Sequence, residues 1–141
     1  MYYSTKKITL GSTAFRQAFA KSHCRFIHGY NLEAKFHFVS DKLDSNNWVV
    51  DFGSLKELKK ELQDHFDHKT IISKKDPHVE KFKELHYLEI IDLVFMEDIS
   101  IEMFARFCLN KANENLSNNT TCCKVEVFEH GGNSGIYEIE S

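Results

Sequence analysis

Residues 23–28 of the sequence combine a thiol with several basic side chains. Cys24 precedes Arg25 and lies between His23 and His28. Nearby positive charge favours the thiolate, which is the form of cysteine that attacks as a nucleophile or carries a proton. An inert cysteine in a surface loop is the alternative interpretation.

Two further positions place carboxylates where they could act on a ligand. Asp67 and His68 are adjacent, and a carboxylate that orients an imidazole makes it a general acid or base near neutral pH. Glu129 shares the strand parity of Val125 and Val127, so it should lie on an apolar face. A buried carboxylate needs a partner, either the guanidine-like edge of a ligand or a basic side chain.

The overall composition is that of one globular domain covering residues 1–141. Apolar residues make up 42% and charged residues 28%, and the formal net charge is -3. This charge gives no general attraction to nucleic acid or to an anionic membrane. Because no apolar segment has the length of a signal peptide or a membrane span, we expect a cytoplasmic protein. The four cysteines show no C-x-x-C spacing and should be free thiols.

A hairpin is predicted at the start of the chain. Residues 28–39 alternate between apolar and polar side chains and predict a strand, and residues 6–23 predict its partner, although 14–20 could form a helical turn. If 24–27 form the loop, His23 lies opposite His28. Two imidazoles would then meet on one face of the sheet.

Three helices and two more strands are predicted downstream. Ser54 and Glu57 have capping-box spacing and should begin a helix, with an apolar stripe of Leu55, Leu58, Leu62 and Phe66. Asp76 and Pro77 should cap a short inserted helix that reaches about Leu88. A second long helix should start near Ser100, and strands follow at 122–128 and 136–139, joined by the glycine-rich segment 131–135. The predicted fold is α+β, a four-stranded antiparallel sheet with two long helices on one face.

Taken together, the motifs resemble the family of the 6-pyruvoyltetrahydropterin and 6-carboxytetrahydropterin synthases, which have the tunnelling fold. The resemblance covers the chain from about Ile8 to Ile139. It rests on ordered motifs, namely Phe19-x-x-x-His23, Cys24-x3-His28-Gly29-Tyr30, Trp48-x-x-Asp51-Phe52-x-x-Leu55-Lys56, Asp67-His68 and Glu129. The short Cys-x3-His spacing is similar to that of the 6-carboxytetrahydropterin synthase branch.

The resemblance implies roles for the residues singled out above. Cys24, Asp67 and His68 would move protons on the side chain of a dihydropterin, and Glu129 would bind the guanidine-like edge of the pterin. Arg25, together with Arg16 and Lys21, is a candidate cation for the triphosphate of the substrate.

The family holds zinc with three histidines, and here the resemblance is incomplete. His23 and His28 match two of the ligands, whereas Tyr30 stands at the third position, and neutral tyrosine is a poor zinc ligand. In an alternative register, Phe15 and Phe19 match the Phe-x-x-x-His motif, and His28 alone remains. The Tyr30 hydroxyl would then contribute to substrate binding in place of a metal ligand.

The implied reaction converts 7,8-dihydroneopterin triphosphate to 6-carboxy-5,6,7,8-tetrahydropterin, with loss of acetaldehyde and triphosphate, in the synthesis of queuosine and other 7-deazapurines. One alternative is the triphosphate elimination of the 6-pyruvoyltetrahydropterin synthases, and another is a non-catalytic pterin-binding protein. The family also implies a homohexamer built as a dimer of trimers.

Overall fold

A mixed sheet of six strands, in the order β4-β3-β1-β2-β5-β6, organises the computed structural model, which describes residues 1–117 and 119–140. The strands are β1 (Tyr2–Phe15), β2 (His28–Ser40), β3 (Lys69–Ser73), β4 (Leu93–Met96), β5 (Thr121–His130) and β6 (Asn133–Glu138). Strands β1, β2, β5 and β6 pair antiparallel, whereas β3 runs parallel to β1 and β4 runs parallel to β3.

The α+β class is therefore confirmed, but the prediction of a four-stranded antiparallel sheet is wrong. Strands β3 and β4 were missed because they are five and four residues long, too short for a period to stand out. The strand predicted at 136–139 begins earlier, at Asn133, so that the β5–β6 turn contains only Gly131 and Gly132.

The described helices are α1 (Lys56–Phe66), α2 (Val79–Tyr87) and α3 (Ile101–Glu114). Helices α1 and α3 meet through Phe66 and Phe104, whose ring centroids are 5.3 Å apart, and both pack on the sheet. Ser100 caps α3, because its hydroxyl accepts a hydrogen bond from the Met103 amide. In the described part of the chain, no helix is long and apolar enough to cross a membrane.

The predicted capping box at Ser54 is wrong. A 3-10 turn (Phe52–Leu55) precedes α1, and the Asp51 carboxylate caps it by accepting a hydrogen bond from the Gly53 amide at 2.9 Å. The Ser54 hydroxyl donates instead to the Asp51 carbonyl. The apolar stripe of α1 nevertheless points inward as predicted, and Leu58, Leu62 and Phe66 are buried.

One cluster of buried side chains joins the sheet to α1 and α3. Alternate residues of β2 contribute to it as predicted, namely Leu32, Ala34, Phe36 and Phe38. Cys108 and Cys122 also belong to it, and burial raises the pKa of the Cys122 thiol to about 12. Both cysteines are therefore core residues rather than reactive thiols.

A β-bulge in β1 changes which side chains of this strand face the core. Thr9 pairs with Glu33 and Gly11 pairs with Leu32, so Leu10 is the extra residue. Ile8 is buried before the bulge, Leu10 is buried at the bulge itself, and Thr13 and Phe15 are buried after it. The bulge thus switches the inward-facing positions from even to odd numbers.

The hairpin register predicted for β1 and β2 is also wrong. Strand β1 ends at Phe15, which pairs with His28. Residues 16–27 form a long loop that contains a 3-10 turn (His23–Arg25). His23 therefore does not lie opposite His28, and the predicted pair of facing imidazoles is not formed.

Candidate active site

Cys24 lies in the loop between β1 and β2, within its 3-10 turn. Its amide donates to the Ser22 hydroxyl at 3.4 Å, and its carbonyl accepts from the Gln17 amide at 2.8 Å. All four cysteines lie in the described ranges, and Cys24 is the one that is not buried. It is therefore the thiol that a substrate or reagent can reach.

Tyr30 connects Cys24 with Glu129. Burial raises the pKa of the Tyr30 phenol, and the negative charges of Glu129 and of the Cys24 thiolate raise it further. A negative charge in the surroundings of a phenol acts in this direction because it disfavours the charged phenolate. We refer to Cys24, Tyr30 and Glu129 together as one cluster, and the roles of Cys24 and Glu129 towards a ligand stay predictions.

Aromatic and imidazole rings complete this cluster on the core-facing side of the sheet. The Tyr30 ring centroid lies 5.8 Å from that of His28, 6.1 Å from that of His130 and 6.2 Å from that of Phe15. The Nδ1 atom of His28 lies 2.8 Å from the Phe26 carbonyl. Because a carbonyl only accepts, Nδ1 carries the proton and Nε2 is left with a free lone pair.

The geometry does not fit the three-histidine zinc site that the family implies. His23 is exposed on the 3-10 turn, and its ring lies near that of Phe26, at 6.2 Å. Across residues 1–117 and 119–140, no three His, Cys, Asp or Glu side chains converge as metal ligands. Zinc therefore stays a prediction, with His28 as the ligand best placed to bind it.

Asp67 and His68 lie at the end of α1, on the opposite side of β1 from β2. One carboxylate oxygen of Asp67 accepts from the Ser12 amide at 3.0 Å and lies 3.0 Å from Nδ1 of His68. The His68 amide donates to the Ser12 carbonyl at 2.6 Å. The imidazole is 83% exposed. Asp67 therefore orients a histidine whose ring is open to a ligand.

Two residues with positive φ, one a glycine and one a histidine, fix this pair in place. Gly11 has φ +114°, and a Cβ there would overlap the Asp67 carboxylate. His68 has φ +61°, in the left-handed region where a helix usually ends with glycine. A side chain at this position costs about 1 kcal/mol, so the histidine is kept at the expense of stability.

A cavity of about 350 Å³ extends across β1, β2 and β3. Its lining includes Ser12, Gly29, Tyr30 and His68. In the described part of the chain, no hydrogen bond or ion pair joins Asp67 or His68 to Cys24 or Glu129. We call Cys24, Tyr30 and Glu129 the cysteine half-site, and Asp67 and His68 the histidine half-site.

The candidate cations for a triphosphate differ in availability. The Arg25 guanidinium is exposed, stacks on the Phe26 ring at 4.3 Å and donates to the Ser22 carbonyl. Arg16, by contrast, is paired with the buried carboxylate of Asp76 at 2.7 Å. The interpretation of Arg16 as a phosphate ligand is therefore wrong. Sequence reasoning missed this pair because it assigned Asp76 to a helix cap.

Comparison with known proteins gives the family of the chain. The model of the family described as 6-pyruvoyl tetrahydropterin synthase matches residues 6–140. The chain belongs to this family. A 6-carboxy-5,6,7,8-tetrahydropterin synthase of Rickettsia typhi is 34% identical over 62 residues, which are 43% of this chain and 45% of that protein. The match thus spans less than half the length of this relative.

Solved structures of pterin synthase family members and similar proteins share the fold. An uncharacterized protein from Wolinella succinogenes aligns with a TM-score of 0.84 and 18% identity, covering 99% of this chain and 98% of that chain. A 6-pyruvoyltetrahydropterin synthase of Plasmodium vivax aligns with a TM-score of 0.70 and 17% identity over the whole of both chains. The chain therefore shares its fold with these proteins.

Proposed function

We propose that this protein is a lyase that converts 7,8-dihydroneopterin triphosphate to 6-carboxytetrahydropterin, in the cytoplasm, as a step towards queuosine and other 7-deazapurines. The observation that carries the proposal is the Asp67–His68 pair, in which a carboxylate oxygen lies 3.0 Å from Nδ1 of an exposed imidazole, beside a cavity that Tyr30 also lines. An imidazole that a carboxylate orients at a cavity suits proton transfer on a bound heterocycle. The name of the Rickettsia typhi relative supports the same reaction.

Each residue has a task in the proposed mechanism. The Glu129 carboxylate accepts hydrogen bonds from the guanidine-like edge of the pterin, which is the strong, charged form of hydrogen bond. The Cys24 thiolate and the His68 imidazole, oriented by Asp67, move protons on the side chain of the substrate. The exposed guanidinium of Arg25 binds the triphosphate.

The two half-sites suggest how copies of the chain assemble. Exposed apolar side chains flank the cysteine half, namely Phe19, Phe26 and Ile27. Two others, Tyr87 and Ile90, line a second cavity beside His68, with a volume of about 650 Å³. Burying such surface is favourable. In the proposed homohexamer, a dimer of trimers, the histidine half of one copy lies against the cysteine half of its neighbour and completes the site.

The deciding experiment incubates the purified protein with 7,8-dihydroneopterin triphosphate and identifies the products by mass spectrometry. Release of acetaldehyde with 6-carboxytetrahydropterin supports the proposal. Triphosphate release with a 6-pyruvoyl product indicates the alternative lyase, and binding of the pterin without any product indicates a binding protein. Tyr30 in place of a ligand histidine favours testing that last alternative.

Two controls separate the parts of the proposal. Cys24→Ala should abolish turnover and leave pterin binding intact, whereas unchanged turnover would remove Cys24 from the mechanism. Elemental analysis of the same preparation counts zinc per chain, and product formed by metal-free protein would refute the zinc prediction alone. Ultracentrifugation tests the hexamer.

A further inference from the structure

Arg16 and Asp76 form an ion pair between the loop that carries Cys24 and the segment that leads into α2. Nε and Nη2 of Arg16 donate to the two carboxylate oxygens of Asp76 at 2.7 and 2.9 Å. The Asp76 side chain is 1% exposed and that of Arg16 is 17% exposed. Burial alone would raise the pKa of Asp76, but hydrogen bonds from Arg16 and the His78 amide lower it below its ordinary value. The carboxylate is therefore charged and fully engaged.

The same guanidinium also holds the loop next to Cys24. Nη1 of Arg16 donates to the Arg25 carbonyl at 3.2 Å, and the Gln17 amide donates to the Cys24 carbonyl at 2.8 Å. Arg16 and Gln17 thus donate hydrogen bonds to the carbonyls of Arg25 and Cys24, beside the thiol. The Gln17 side chain in turn donates to the Ile99 carbonyl at 3.0 Å, which ties this part of the loop to the start of α3.

Helix α2 contributes to the same arrangement rather than to the core. None of its residues, 79–87, is buried, so it adds little apolar burial to the stability of the domain. Its Phe82 ring lies 5.6 Å from the Arg16 guanidinium and covers it. The inserted segment therefore supplies both the carboxylate that binds Arg16 and an aromatic face that packs on it.

We propose that Arg16 and Asp76 are positioning residues that fix the Cys24 thiol, and that holding this loop is the task of the inserted segment 76–90. A planar guanidinium can bind a carboxylate with two nitrogens and a carbonyl with the third. This geometry places the backbone at Cys24 without contact with the substrate. The kinetic consequence rests on the proposed lyase function, whereas the effect on the thiol does not.

The test measures how fast iodoacetamide alkylates Cys24 in the full-length protein without substrate, with the site identified by mass spectrometry. Arg16→Lys keeps the charge opposite Asp76 but cannot reach all three acceptors. Arg16→Met combined with Asp76→Leu removes both charges and avoids leaving one of them buried alone. We expect the rate to rise about threefold or more in both variants, because the loop opens more often. Lys75→Met, which breaks the exposed pair of Lys75 with Asp98, should leave the rate unchanged.

The outcomes separate this inference from the proposed function. If both folded variants are alkylated at the rate of the parent protein, the inference is overturned, even if their melting temperatures fall. If the parent protein turns over substrate, kcat should decrease in the variants by a larger factor than KM increases. If the parent protein has no lyase activity, the proposed function fails, and the alkylation rates still decide whether Arg16 and Asp76 position the thiol.

Discussion

His65 should make the stability of the protein depend on pH. Its ring stacks on Phe107, with centroids 4.0 Å apart, and meets the edge of Phe66. Its Nε2 atom is buried and has no hydrogen-bond partner in the described part of the chain. Burial lowers the pKa of His65 to about 4, and the positive charges of Lys111 and Lys69 act in the same direction. The folded protein therefore holds this imidazole neutral.

The sign of the effect follows from proton binding. Below the ordinary pKa of 6.5, the unfolded chain protonates His65, whereas the folded protein resists protonation down to about pH 4. The free energy of unfolding should thus have its full value above pH 6.5 and decrease as the pH falls from 6.5 to 4. The shift sets an upper limit of about 3 kcal/mol. Because the ring is partly open to solvent, we expect roughly 1–2 kcal/mol.

Urea unfolding of the parent protein and of His65→Leu, at pH 7.5 and pH 4.5 and at one protein concentration, measures this contribution. Leucine packs on Phe107 but does not titrate, so the stability of the variant relative to the parent should increase by about 1–2 kcal/mol at the lower pH. His78→Leu, at an exposed position, is the matched control. Its stability should change between the two pH values by the same amount as that of the parent protein. If the stability of His65→Leu also changed by the same amount as that of the parent protein, the reasoning would be refuted.

Three further substitutions test the geometry of the half-sites. Gly11→Ala should destabilise the protein by about 2 kcal/mol or more in urea unfolding, because its Cβ would displace the Asp67 carboxylate; a smaller loss would show that the bulge adapts. His68→Gly should be more stable than His68→Ala by about 1 kcal/mol, since it relieves the left-handed backbone, and equal stabilities would contradict that strain. Glu129→Gln should lower the phenol pKa of Tyr30 in an ultraviolet titration and weaken pterin binding about tenfold; with an unchanged titration, Glu129 would not belong to the cluster.

Elements with a strong period were predictable from the sequence. Strand β2 alternates along its length, and α3 has both a capping serine and an inward stripe. These signals are local, because each is decided by residues a few positions apart. By contrast, the resemblance gave roles for Cys24 and Glu129 but no positions in space, so their places relative to Tyr30 had no local signal.

The errors have a common physical cause in long-range contacts. The end of β1 at Phe15 depends on a loop held by Arg16 and Asp76, which are 60 residues apart. Strand β3 exists because it pairs in parallel with Phe15 and its neighbours, and β4 exists because it pairs with β3. No local sequence pattern in any of these segments indicates which distant segment it pairs with. His23 was misplaced for the same reason, because its predicted register assumed a short loop.

The bulge at Leu10 means that β1 holds one residue more than the matching part of β2 without losing its register. Ile8 lies opposite Ala34 and Thr13 lies opposite Tyr30, so the side chains before and after Leu10 stay on the same face as their partners. Deleting Leu10 would therefore give a regular ladder in which Thr13 and Phe15 still face the core. Evolution can thus change the length of β1 at this one position while the Ser12 amide that holds Asp67 keeps its place opposite β2.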